Sequence, residues 1–144
     1  MTSLVFPDIN LWLALASRRH VHHTAARHWL ETIKDADLAF CRFTQLGLLR
    51  LLTTAAVMGP DVLNQRQAWQ AYDRLAGERI FLLKEPDTLE EHFRKLTYHH
   101  IASPKEWADS YLAAFALEAG ATLATFDKAL ASRSGGTLIH PKAV

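Results

Sequence analysis

Short apolar runs alternate with longer amphipathic stretches along this chain, and that alternation restricts the folds open to it more than any other feature. Leu4 to Phe6, Leu38 to Arg42, Ile80 to Leu83, Leu123 to Thr125 and Leu138-Ile139 read as strands. Helices are predicted from Ile9 to Ser17 and from Thr24 to Lys34, with the segment from Arg18 to His22 as a polar link. A third runs from a Thr44 N-cap to about Thr54, and a fourth from an Asp61 cap to about Ala76. Gly59-Pro60 and Gly77 supply the breaks around the fourth. Asp87 or Thr88 opens a helix to about His99. Ser103-Pro104 opens the next, from Lys105 to Ala119, with the proline in its favoured first-turn position, and Lys128 to Ser132 forms a last short helix. Strands that alternate with helices pair in parallel, because the crossover helices cover both faces of the sheet. The fold class expected is therefore α/β: a three-layer α/β/α sandwich with a mostly parallel central sheet. No internal repeat, low-complexity segment or long linker divides the chain, so residues 1–144 are read as a single domain.

An apolar share of 49% and a charged share of 22% exclude a disordered chain. The net charge of +1 says little, but its distribution says more. No acidic residue occurs from Ile9 to Leu30, where Arg18, Arg19, His20, His22, His23, Arg27 and His28 gather. Leu38 to Pro60 also lacks acids and carries Arg42 and Arg50. Such blocks are either solvated helix faces or attractors for a polyanion. The single cysteine, Cys41, allows no intrachain disulfide and no cysteine zinc cluster, and its apolar run makes it a core residue. Leu4 to Ala16 is apolar enough to imitate a secretory h-region. No Lys or Arg precedes it, however, and Asp8 and Asn10 interrupt it. No run reaches membrane-spanning length, so a cytoplasmic chain with no membrane contact is expected.

Three aspartates stand at element ends. Asp8 follows the first strand, Asp109 lies near the start of its helix, and Asp127 follows the fourth strand. Ligands of parallel sheets collect at the carboxyl ends of strands, where carboxylates from distant positions can meet. Clustered carboxylates repel unless a proton or cation lies between them. A hard, oxygen-seeking metal ion is the first occupant to consider, against the plainer alternative that Asp127 only caps a helix.

Four segments, in order, resemble the PIN-domain ribonucleases, and among them the VapC-type toxins of bacterial toxin–antitoxin pairs. They are Phe6-Pro7-Asp8-Ile9-Asn10-Leu11-Trp12-Leu13, Phe43-Thr44-Gln45-Leu46-Gly47-Leu48-Leu49-Arg50, Trp107-Ala108-Asp109-Ser110-Tyr111-Leu112-Ala113-Ala114 and Ala124-Thr125-Phe126-Asp127. The resemblance runs nearly end to end and includes the segment from His22-His23 to Trp29. It implies a Mg²⁺- or Mn²⁺-dependent endonuclease that cuts RNA, is silenced by a VapB-type antitoxin and forms a homodimer. Carried over residue by residue, Asp8, Asp109 and Asp127 are the catalytic metal ligands, Asn10 braces Asp8, and Thr125 hydrogen-bonds within the site. One position departs from the family pattern: Gln45 stands where a glutamate is usual. An amide oxygen can hold a metal-bound water but adds no charge, so weaker metal affinity is expected. Glu106, one helical turn before Asp109, is a possible compensating ligand.

Arg18, Arg19, His22 and His23 are assigned to RNA phosphates, with a plain surface turn as the alternative and a zinc site disfavoured by their spacing. Trp12, Trp29, Trp69 and Trp107 fall at helical apolar positions and are read as core or partner-groove residues. Arg50 is read as an ion-pair partner or a contact to RNA or antitoxin. Two other functions stay open: a PIN-like scaffold that binds RNA or a partner without cutting, and a haloacid-dehalogenase-type phosphatase. The phosphatase chemistry wants a second carboxylate two residues after the first, where this chain has Asn10.

Overall fold

The computed structural model describes residues 3–75, 77 and 79–140. Five strands, β1 Leu4–Pro7, β2 Asp37–Phe40, β3 Ile80–Leu82, β4 Thr122–Thr125 and β5 Thr137–Leu138, form one parallel sheet in the order β3-β2-β1-β4-β5. The helices are α1 Ile9–Ala16, α2 His23–Thr32, α3 Arg42–Leu52, α4 Ala55–Met58, α5 Gln65–Leu75, α6 Leu89–Thr97, α7 Glu106–Glu118 and α8 Lys128–Ser134. A 3-10 turn, Gly59–Asp61, separates α4 from α5.

Successive strand residues point to opposite faces, and the core splits accordingly. Val5, Leu38, Phe40 and Ala124 pack on Leu11, Trp12, Leu48, Leu52, Ala68 and Ala71 from α1, α3 and α5. Phe6, Ala39 and Leu123 face the other way, onto Leu89, Leu112, Phe115 and Leu130 from α6, α7 and α8. Both faces are covered, as the alternating pattern predicted. β1 is the pivot: β2 lies on one side of it and β4 on the other. The connections diverge there, so the carboxyl ends of β1 and β4 mark the topological switch point of the sheet, where ligands of such sheets collect.

Boundaries differ from the sequence expectation where a local side-chain bond settles the cap. Thr44 lies at the third position of α3 and its hydroxyl accepts from Cys41 N–H at 3.0 Å, so Cys41, not Thr44, is the N-cap. Cys41 is buried just past β2, not within it. Asp61 closes the 3-10 turn instead of capping a long helix. Asn64 and Gln67 exchange side chain-to-backbone bonds of 2.9 and 3.0 Å at the start of α5, a reciprocal cap that ends the break after Gly59-Pro60. The expected end of that helix, Ala76, lies outside the described residues. Pro104 sits in a turn two residues before α7 begins. Gly120 follows α7 with φ +68°, a left-handed conformation that favours glycine.

Of the tryptophans, Trp12 is fully buried and stacks on Phe40 with ring centroids 3.8 Å apart. Trp29 is half-buried, whereas Trp69 and Trp107 are 48% and 59% exposed and are not core. Arg50 is exposed and makes no ion pair among the described residues, so the ion-pair reading fails there. No described helix is long and apolar enough to cross a membrane.

Candidate active site

Asp8 is the N-cap of α1, placed by the strand before it. Pro7 pairs with Ala124, and Asp8 N–H donates to the Ala124 carbonyl at 3.0 Å, which carries the β1–β4 ladder one residue past the proline. Only 6% of Asp8 is exposed. Its Oδ1 accepts from Leu11 N–H at 2.9 Å, and its Oδ2 accepts from the Thr125 hydroxyl. Thr125, fully buried, also accepts from Asp127 N–H at 2.9 Å. One hydroxyl thus links the first aspartate to the backbone of the third.

Asp127 caps α8, its Oδ1 accepting from Ala129 N–H at 2.9 Å and Leu130 N–H at 3.1 Å. The cap role is therefore real, and its Oδ2 has no hydrogen bond among the described residues. Asp109 is half-buried in the first turn of α7. Burial chiefly raises the Asp8 pKa; the bonds from Thr125 and Leu11 pull it down, and the charges of Asp127 and Asp109 push it up again. Asp109 is raised by burial and then by Asp127, with Arg133 opposing. Among the described residues none of the three is in an ion pair. The fold thus gathers carboxylates within electrostatic reach of one another, and the one cation that acts on them, Arg133 at Asp109, forms no ion pair with any of the three among the described residues.

An oxygen-only donor set of this kind suits Mg²⁺ or Mn²⁺ in its chemistry. Its spacing is loose: among the described residues, no three His, Cys, Asp or Glu side chains stand close enough together to hold an ion. Mg²⁺ is commonly held by one or two carboxylates with water completing its shell, so three close protein ligands are not required for it.

Other expected participants are placed differently. Asn10 is exposed, and the bonds expected from it to Asp8 come from Leu11 N–H and Thr125 instead. Gln45, 4% exposed on α3, accepts from Arg42 Nη1 through its amide oxygen at 2.5 Å. Glu106 is occupied by His99 Nε2 at 2.5 Å and Arg133 Nη2 at 3.4 Å. The His99 bond above all holds its carboxyl below the usual range, so Glu106 is engaged and does not compensate for Gln45. Arg19 pairs with Asp61 at 3.5 Å. His23 Nδ1 bonds the Ala14 carbonyl at 2.7 Å, and the His22 ring packs on Phe126 at 4.9 Å. Arg18 is exposed.

Arg42 and Arg133 were absent from the residues singled out as site residues. Arg42 sits three positions before Gln45, a spacing that puts both on one helix side and was a usable signal. Arg133 reaches Asp109 and Glu106 only through tertiary packing of α8 on α7, which leaves no trace in sequence spacing.

The sequence profile of the PIN domain matches residues 5–135. Ribonuclease VapC41 of Mycobacterium tuberculosis is 47% identical over 134 residues, covering 89% of this chain and 92% of the relative. The crystal structure of M. tuberculosis VapC20, described as a Sarcin-Ricin loop cleaving toxin, superposes with a TM-score of 0.66 at 16% identity, covering 91% and 95% of the two chains. That of VapBC2 from Rickettsia felis, bound to a DNA fragment from its promoter, gives 0.65 at 14% identity, covering 94% and 96%. The structural likenesses establish the fold, and the sequence match establishes the lineage. The chain belongs to the PIN-domain family, on its branch of VapC-type proteins.

Proposed function

We propose that this protein is a metal-dependent endoribonuclease, the toxin of a toxin–antitoxin pair, cutting RNA phosphodiester bonds at the rim formed by Asp8, Asp109 and Asp127. The observation that carries the reading is the buried Asp8 carboxylate at the end of β1, which is in no ion pair among the described residues and lies within electrostatic reach of Asp127 and Asp109; burial chiefly, and then those two charges, raise its pKa. Further support comes from the 47% identity to a relative named as a ribonuclease. A VapB-type antitoxin and a homodimeric assembly are proposed on family grounds. The structure of VapBC2 from R. felis, a toxin–antitoxin complex by its name, favours the antitoxin.

A bound Mg²⁺ or Mn²⁺ supplies positive charge that offsets the acids, acidifies water and stabilises charge developing on the phosphate. The protein's own part is positional. Leu11 N–H and the Thr125 hydroxyl fix both oxygens of Asp8, so that carboxylate is ordered before any ion arrives. Thr125 also ties Asp127 to the same frame, and Asp127 Oδ2 stays available while Oδ1 caps α8. Asp109 adds negative charge from the first turn of α7. Gln45 is proposed to hold water near the ion with its amide oxygen, which has a second lone pair beyond the one Arg42 occupies. Arg18, His22 and, through Nε2, His23 are proposed as phosphate contacts, and Arg19 contributes less because it already pairs with Asp61.

A second reading, a PIN scaffold that binds RNA without cutting, draws on Gln45 and on the loose spacing of possible ligands. Incubation of the purified chain with total RNA in Mg²⁺, in Mn²⁺ and in chelator separates the two. Cleavage that needs the ion and disappears in Asp8→Asn is expected. Cleavage that survives both changes would belong to a contaminant, and binding without any cleavage would favour the scaffold.

A further inference from the structure

A cleft of about 360 Å³ opens between the end of α1, the start of α2 and the last turns of α5. Its floor is apolar, from Leu15, Ala16, Ala71 and Leu75, and its polar walls are Arg18, His23, Arg27 and Arg74. No Asp or Glu lines it, and among the described residues none of those arginines is in an ion pair. His23 and Arg27 are four apart on α2 and so share a side of it. The His23 Nδ1 bond to Ala14 fixes that ring and leaves Nε2 for a ligand. Like charges drawn around one concavity repel each other unless an anion enters.

We infer that this cleft is a phosphate subsite that holds the backbone of the RNA strand at a distance from the bond being cut. The inference rests on the ribonuclease reading and extends it. An acidic rim repels phosphates, so the grip on the strand must come from elsewhere. The cleft stands at the opposite end of α1 from Asp8, an eight-residue helix of about 12 Å. The segment bearing the cleft also touches the rim, because His22 packs on Phe126, the residue before Asp127. Several guanidinium forks around a hollow suit a tetrahedral phosphate, whose oxygens can take more than one fork at once. Arg18 of the first link and His23 at the start of α2 belong to this site, and Arg19 does not. Arg27 and Arg74 complete it from elements far apart in sequence.

The test is fluorescence anisotropy of labelled single-stranded RNA in chelator, where no cutting interferes, with labelled polyglutamate as a second probe. Arg27→Gln/Arg74→Gln is compared with the native chain and with Arg94→Gln, an exposed arginine of α6 outside the cleft. All three positions are exposed, so the variants should fold. RNA affinity is expected to fall about tenfold or more in the double variant. The dependence of log affinity on log salt should lose about 1.4, since each lost phosphate contact removes about 0.7 for a single strand. Arg94→Gln should match the native chain. Equal RNA binding by the double variant would overturn the inference, and so would a loss confined to polyglutamate, which would assign the cleft to an acidic protein. If RNA binding depends on Arg27 and Arg74 while the native chain cuts nothing in Mn²⁺, the subsite stands and the ribonuclease reading falls.

Discussion

The Thr125 hydroxyl donates to Asp8 and accepts from Asp127 N–H, so two acids that are distant in sequence share one brace. Thr125→Val keeps the shape and leaves a buried carboxylate oxygen and an N–H without partners, at a cost of about 2–3 kcal/mol. Thermal unfolding should drop by roughly 5–10 °C, with Thr125→Ser near native; an unchanged midpoint would mean the brace is dispensable. Asp8 behaves in the opposite sense. Its folded pKa is raised above the ordinary 3.8, chiefly by burial, so the folded chain keeps a proton that the unfolded chain has lost. Stability therefore falls as pH rises from about 3.8 through the raised value, and stays lower above it. Asp8→Asn should abolish cleavage yet raise the melting temperature at pH 7 by about 2–4 °C, the equivalent of ~1 kcal/mol. A lower melting temperature would show that the charged form is held by more than the bonds described. Gln45→Glu places a fourth carboxylate at the family position, next to Arg42, and should tighten Mn²⁺ binding about tenfold in calorimetry, or ~1.4 kcal/mol. No change there would place residue 45 out of reach of the ion.

At the level of elements, α1 is seated on α3 through one close approach. A Cβ on Gly47 would come within 2.4 Å of Ile9 Cδ1 and 2.8 Å of Ile9 Cγ1, so two parts of the same branched side chain would have to give way. Gly47→Ala should cost about 1–3 kcal/mol and lower the urea midpoint, with Ile9→Ala in the same chain recovering part of the loss. Because Ile9 follows Asp8 directly, the shift should also weaken metal binding, and a Gly47→Ala chain with native stability would refute the packing argument. The helix starts show how much the residues alone conveyed. Asp127 was open to reading as a cap from its residue type and position, and Asp8 caps α1 through the same kind of short-range bond. Thr44 and Asp61 are equally good cap types, yet Cys41 and Asn64 begin those helices. The choice was made by where β2 ends and by the exchange between Asn64 and Gln67.

The whole molecule brings Asp8, Asp109 and Asp127 within electrostatic reach of one another, with Arg133 opposing only at Asp109, so an ion that binds there should stabilise the fold by linkage. Mn²⁺ at about one hundred times its dissociation constant contributes ~2.7 kcal/mol. The melting temperature should accordingly rise by roughly 5–10 °C. The gain should vanish in Asp8→Asn and shrink as pH falls through the raised pKa values of Asp8 and Asp109, where protons compete with the metal. A melting temperature indifferent to Mn²⁺ would leave the acids without a metal role. The layers and the parallel sheet were legible in the chain itself, and so was the placement of Asp8 and Asp127 after strands and of Asp109 near a helix start, because strand and helix periods and element ends are local properties. Electrostatic coupling between Asp8, Asp109 and Asp127, the occupation of Glu106 by His99 and Arg133, the exposure of Asn10 and the grouping of Arg18, Arg27 and Arg74 were decided by tertiary structure alone. Those relations join residues from separate elements, and their distances are set by how the helices settle on the sheet, which no spacing along the chain encodes.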